Sequence, residues 1–144
     1  MTITEYSNRV QKAVGGAETE TNAIIEDMKP ALVEEQREQM YSGQRSDGEM
    51  IEPPYGKMTQ VYKCEKGQPY DRVTLKDTGD FYSAIYVENT GTELIFDSSN
   101  WKTDDLKDKY GYGIFDLQKS RYDKFKAIWC DRFRQFIIKT INGL

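Results

Sequence analysis

The sequence contains no histidine. Without an imidazole general base, neither a Ser–His nor a Cys–His nucleophile can be built, and histidine-ligated zinc is excluded. Cysteine is nearly as scarce: Cys64 and Cys130 are the only two. Two thiols cannot make a four-thiolate metal site, and their wide separation fits a reduced compartment better than a disulfide framework. Cys64 reads as a strand residue and Cys130 as one packed on a helix. No apolar run is long enough to cross a bilayer. The amino terminus, MTITEYSNRVQKAVGG, lacks both the basic start and the apolar core of a signal peptide. An enzyme would have to work with carboxylates, lysines and tyrosines, so the expectation is a non-enzymatic protein with no cofactor, no metal and no membrane span.

What is present describes a folded chain. Hydrophobic residues make up 38% and charged residues 31%, enough for one core, and the length sets a single domain over residues 1–144. Ten tyrosines and six phenylalanines suit half-buried sheet faces and protein interfaces, where the ring packs and a hydroxyl finds a partner. The net charge of −4 is unevenly spread. Residues 1–58 carry six basic and eleven acidic groups, whereas the tail from Lys119 to Leu144 carries seven basic groups against Asp123 and Asp131. Such polarity can orient a subunit against a complementary neighbour, or it can be balanced inside the chain.

The pattern predicts an α+β fold, with a small antiparallel or mixed sheet packed against a kinked N-terminal helix and a long C-terminal helix. Residues 1–16 read as a flexible arm with a short helix over Thr4–Val14, capped by Thr4 and broken by Gly15-Gly16. Thr21, Ile24, Ile25, Met28, Leu32 and Val33 then recur at helical spacing, and Pro30 predicts a kink or a second start before an end near Met40. Residues 41–57, YSGQRSDGEMIEPPYGK, form a long turn-rich loop. Met58–Lys63 reads as a short strand and Val73–Leu75 as extended. Phe81–Glu88 carries the strongest strand signal, with Phe81, Ser83, Ile85 and Val87 alternating with Tyr82, Ala84 and Tyr86. Asn89–Thr92 supplies a hairpin turn into Glu93–Asp97. Thr103 caps a short helix that Gly111 ends. In the last helix Tyr122, Phe125, Trp129, Phe133, Phe136, Ile137 and Ile141 trace one wide apolar face.

Asp77-Thr78-Gly79 is the one triplet with a catalytic precedent, since an Asp-Thr-Gly turn can carry an aspartic protease carboxylate. A second copy would have to come from a dimer, so that two carboxylates share one proton. The flanks VTLK and DFYSAIY offer no apolar flap. The triplet therefore reads as a structural turn in which Asp77 accepts backbone N–H groups and Gly79 takes a positive φ. Asp97, Asp104, Asp105 and Asp108 are the densest acids, but they lack the alternation and central glycine of a calcium loop. They read as helix capping plus a solvated face. The basic tail could touch phosphate, yet its aromatics fall at core spacing and the chain is acidic overall, which argues against sequence-specific nucleic-acid recognition. Gly111-Tyr112-Gly113 reads as a hinge or a tight packing joint. The candidate interface residues are Arg45, Met50 and Tyr55 in the long loop, Tyr82 and Tyr86 on the strand, and Trp101 beyond the hairpin.

The block LKDTGDFYSAIYV resembles a family of small tailed-phage neck and tail-completion proteins and their prophage relatives. Leu75, Thr78, Gly79, Phe81, Ala84 and Ile85 match the family's Leu-x-x-Thr-Gly-x-Leu/Phe-x-x-Ser/Ala-Ile-like pattern. Tyr110-Gly111 and Ile114-Phe115-Asp116-Leu117 resemble its later aromatic-Gly element, in the form found in prophages of anaerobic gut bacteria. In layout the likeness extends over residues 17–141. Asp80-Phe81-Tyr82 departs from the basic or leucine-rich neighbours usual there, and so does the charged stretch Trp101–Lys109. The resemblance implies a structural head–tail connector or tail-completion subunit that assembles as a homo-oligomeric ring with other neck and tail proteins. Its location would be the virion and, during assembly, the host cytoplasm. The competing expectation is a small cytoplasmic module that binds a ligand or a protein.

Overall fold

The computed structural model describes all residues, 1–144. Two long helices pack with a two-stranded antiparallel sheet, and short helices fill the connections, giving an α+β fold. The first helix, α1, spans Ile3–Tyr41. Thr2 starts it: its hydroxyl accepts from the Glu5 N–H at 3.0 Å, while the Glu5 carboxylate accepts from the Thr2 N–H at 2.7 Å. This reciprocal capping box places the start ahead of Thr4, and the expected flexible arm is helix. Gly15-Gly16 does not break it. A Cβ on Gly16 would stand 3.0 Å from Phe136 Cζ, so the missing side chain lets α1 approach the last helix, α5 (Lys119–Ile141). Pro30 also lies inside the single helix. It faces solvent, where water can satisfy the carbonyl that loses its donor.

Two expected strand segments are helical. Lys57–Glu65 forms α2 where Met58–Lys63 reads as a strand, because six residues are too few to separate a period of two from one of 3.6. Asp80–Ser83 forms a single helical turn, α3, in place of the first half of the Phe81–Glu88 strand. Gly79, at φ 95°, turns the chain into it, and the Ser83 N–H donates to the Gly79 carbonyl at 2.9 Å. This turn ends the two-residue alternation. Tyr82 and Tyr86 therefore do not share a face.

The sheet pairs β1 (Ile85–Asn89) with β2 (Leu94–Ser98) in antiparallel register, Val87 opposite Phe96 and Ile85 opposite Ser98. Ile85, Val87, Phe96 and Ser98 are buried, whereas Tyr86 and Ile95 face outward. Next comes α4 (Thr103–Tyr110), with Lys102 rather than Thr103 at its N-cap. The Thr103 hydroxyl instead shares its one proton between the carbonyls of Asn100 at 2.7 Å and Ser98 at 3.1 Å. Gly111 ends α4, and a 3-10 turn over Tyr112–Ile114 leads toward α5.

One hydrophobic core joins Leu32 and Met40 of α1, Phe81 and Tyr82 of α3, Val87 and Phe96 of the sheet, and Ile114–Phe115 and Leu117. Two fully buried glutamines on α1 fasten that last segment. Gln36 donates to the Ile114 carbonyl at 3.2 Å, and Gln39 donates to the Asp116 carbonyl at 2.8 Å. Gln39 also accepts from the Gln118 N–H at 2.8 Å. Buried polar groups need such partners, and here the partners are backbone atoms that no helix or strand satisfies.

Candidate interaction surfaces

A 39-residue helix is about 58 Å long at 1.5 Å per residue, roughly twice the diameter of a small domain. It must project. Asn22 reaches Asn89 at the end of β1, its side-chain oxygen accepting at 3.0 Å. Beyond that point α1 has α5 as its companion: Arg9 donates to the Ile141 carbonyl at 3.0 Å, closing the last turn of α5. In this outer hairpin only Ala13 of residues 3–20 is buried, and none of residues 129–141 is. Its aromatics form a row, with Trp129 stacked on Phe133 at 4.8 Å between ring centres and Phe133 followed by Phe136 at 5.9 Å. The expected apolar face of α5 is therefore present but half-covered. Where the hairpin meets the sheet, an open apolar groove of about 310 Å³ lies among Ile25, Met28, Leu94, Tyr122 and Trp129. The indole N–H of Trp129 is enclosed and finds no acceptor.

Charge differs along the same two helices. At the inner end Glu35 takes Arg121 at 2.8 Å and also Lys124, and where the outer hairpin begins Asp27 takes Arg132 at 2.8 Å. Burial opposes ionisation of Glu35, but the hydrogen bonds and charges of Lys124 and Arg121 outweigh it and hold the carboxyl below its usual range. Part of the acidic-front, basic-tail asymmetry is thus balanced within the chain. Glu18 and Glu20 on α1 and Lys126, Arg134 and Lys139 on α5 have no ion-pair partner.

The six candidate interface residues divide evenly. Met50, Tyr86 and Trp101 are exposed, Trp101 by 79%. The other three make internal contacts. Tyr82 is buried, its hydroxyl donating to the Thr74 carbonyl, and burial pushes that hydroxyl far above its ordinary pKa. The helical turn of α3 explains why an alternating pattern grouped it with the exposed Tyr86. The Tyr55 hydroxyl accepts from the Thr74 N–H at 3.1 Å. Arg45 donates to the Tyr110 carbonyl at 2.6 Å, and its guanidinium lies so close to Gly111 and Gly113 that a Cβ on Gly113 would stand 2.5 Å from it. Gly111-Tyr112-Gly113 is thus a packing joint around an arginine.

The Asp77-Thr78-Gly79 turn lies at a second concavity. Asp77 does not accept backbone N–H groups. Its carboxylate takes Lys66 at 2.9 Å, and Thr78 accepts the Asp80 N–H at 3.3 Å instead. The Lys66 hydrogen bond holds the Asp77 carboxyl below its usual range, whereas two carboxylates sharing a proton need one of the pair raised. Asp77, Thr78 and Gly79 line a cleft of about 300 Å³ together with Tyr55, Lys63 and Tyr110. Lys63, read from sequence as a strand residue, is the one buried residue of α2. The acids of 97–108 do not converge: Asp97 pairs with Lys107 at 2.8 Å, Asp104 and Asp105 sit in the first turn of α4, and nowhere do three or more metal-ligating side chains cluster. Cys64 and Cys130 are both free and exposed. No helix is long and apolar enough to cross a membrane.

The class this geometry defines is an α+β domain with a projecting two-helix hairpin. No protein-family model matches the chain, and no curated protein or solved structure matches it significantly.

Proposed function

We propose that this chain is a structural subunit that works by assembly, in the head–tail connector or tail-completion region of a phage or prophage. The observation that carries the assembly reading is the half-covered aromatic row of the outer hairpin. Two helices cannot enclose an apolar seam by themselves and need a further layer. The accessible surface of 9173 Å² exceeds the roughly 7,600 Å² of a compact monomer of this mass. That surplus is larger than the about 800 Å² that one partner contributes to an interface of standard size. A second copy offers suitable chemistry: unpaired Glu18 and Glu20 on one helix, and unpaired Lys126, Arg134 and Lys139 on the other, complement one another across copies. Placement in a phage neck or tail rests on the LKDTGDFYSAIYV resemblance.

Light scattering over a range of protein and salt concentrations tests this. The expected result is a closed multimer, or a monomer that becomes one as concentration rises, and Phe133→Glu should return it to monomer with its circular dichroism intact. A monomer at every concentration would remove self-assembly. A second reading, a small binding module, is favoured by the cleft around Lys63.

A further inference from the structure

The cleft between α2, the Leu75–Gly79 turn and α4 holds an enclosed ammonium that no carboxylate contacts directly. Lys63 is only 6% exposed and faces this cleft. Its ammonium carries three donors. One goes to the Lys76 carbonyl, and the centre of the Tyr55 ring lies 5.4 Å away. The one carboxylate on the lining, Asp77, is held by Lys66. Asp77 acts on Lys63 only through space, and an enclosed ammonium without an anion in contact is under-compensated, so the cleft favours an incoming anion.

The rest of the lining narrows its chemistry. Tyr62, Leu75, Phe81, Leu106 and Tyr110 supply apolar walls, and about 300 Å³ of space suits a group of ring size. Lys76 and Lys102 add positive charge, and the backbone amides of Asp77, Thr78 and Gly79 donate to no protein acceptor. Leu75 holds φ 59°, a left-handed conformation that non-glycine residues adopt at a cost and that concentrates at binding sites. With one enclosed ammonium and no arginine in the lining, the site matches a monoanion better than a phosphate, which favours forked guanidinium donors.

We propose that this cleft binds a carboxylate joined to an aromatic ring by a short aliphatic link, with Lys63 as its counter-ion and the tyrosine and phenylalanine walls around the ring. The site stands on the cleft alone, independent of assembly. Two sources share this chemistry, a small free acid and the carboxy-terminal aromatic residue of a peptide.

NMR titration of the full chain separates them. Phenylacetate should shift the amides of 59–63 and 75–79, with phenylacetamide and acetate each binding at least tenfold more weakly. Lys63→Met should lose at least tenfold for phenylacetate. If acetyl-Gly-Gly-Phe with a free terminus binds the same amides more tightly than phenylacetate, and its amidated form does not, the ligand is a chain end; the reverse order assigns a small acid. Should Lys63→Met fail to fold, Thr59→Trp at the exposed wall must fill the cleft and abolish the shifts with circular dichroism unchanged. No shifts with phenylacetate, an equal response to acid and amide, or shifts that persist in a folded variant overturn the proposal.

Discussion

The inner end of α1 buries Leu32, Gln36, Gln39 and Met40, whereas residues 3–20 of the same helix bury only Ala13. The contrast repeats on α5, where Phe125 is buried and the later aromatics are half-covered. At the inner end, apolar side chains meet the sheet and the 114–117 segment, and polar ones meet backbone atoms or opposite charges. In the outer half the same kinds of residue stop at a two-helix seam. On α5 local sequence does not distinguish the halves, since one apolar stripe at helical spacing runs through both. The supply of neighbours does. The inner half is satisfied within the chain, and the outer half is built for something beyond it.

The largest test of this contrast is Gln39→Leu. The substitution leaves the Asp116 carbonyl and the Gln118 N–H without their partner. A fully buried orphaned group costs about 1–3 kcal/mol, and these two are only partly buried, so a loss of about 2 kcal/mol is expected in urea denaturation. Val14→Ala, at a site 70% exposed, should change stability by less than about 0.5 kcal/mol in the monomer. Similar losses at both positions would mean that the two halves are equally packed, and the contrast would collapse.

Acid should act on the inner end through Glu35. Its carboxyl pKa is lowered in the folded chain, so its contribution is complete above the unfolded carboxylate value and disappears as pH falls through the folded one. Denaturation midpoints measured from neutral pH downward should drop across the carboxylate range, and Glu35→Gln should lower the neutral-pH midpoint while flattening that drop. An unchanged slope in the variant would show that the Glu35 pairing with Arg121 and Lys124 adds nothing to folding. This effect is smaller than that of Gln39, because solvent screens the exposed Lys124 partner, and the flattening is partial because Asp77, paired with Lys66, remains in the variant.

Much of the scaffold was legible in the sequence. The apolar stripe of α5 and the hairpin turn at Asn89–Thr92 needed only periodicity and turn chemistry, because long helices and glycine turns signal locally. The α+β layout followed from them. The Thr2-x-x-Glu5 capping box was equally local, and reading Thr4 as the cap missed it. Other features depended on contacts between distant segments. Gln36 and Gln39 look like the solvent face of a helix until the 114–118 backbone arrives against them. Lys63 looks like an exposed strand residue until α2 turns it toward the Leu75–Gly79 turn. Tyr82 resembles Tyr86 in alternation, and one helical turn at Asp80–Ser83 sends the first inward and leaves the second exposed. Arg45 could not be placed from sequence either, although paired glycines at 111 and 113 are a recognisable sign that something bulky packs close by.

The finest test lies in adjacent glycines of the outer hairpin. A methyl group on Gly15 would meet nothing within 4 Å, whereas one on Gly16 would stand 3.0 Å from Phe136 Cζ. Alanine is favoured over glycine inside a helix by about 1 kcal/mol, so Gly15→Ala should raise stability by close to that amount. Gly16→Ala makes the same backbone gain but must push the Phe136 ring aside, so its net effect should be near zero or slightly negative. Combining Gly16→Ala with Phe136→Leu relieves the contact, and thermal denaturation of the four variants of that cycle should reveal a coupling of about 0.5–1 kcal/mol. If Gly16→Ala stabilises as strongly as Gly15→Ala, α1 and α5 do not touch at that height in solution. The outer hairpin would then be two loosely associated helices, and its aromatic row could not serve as a prepared surface for a neighbour.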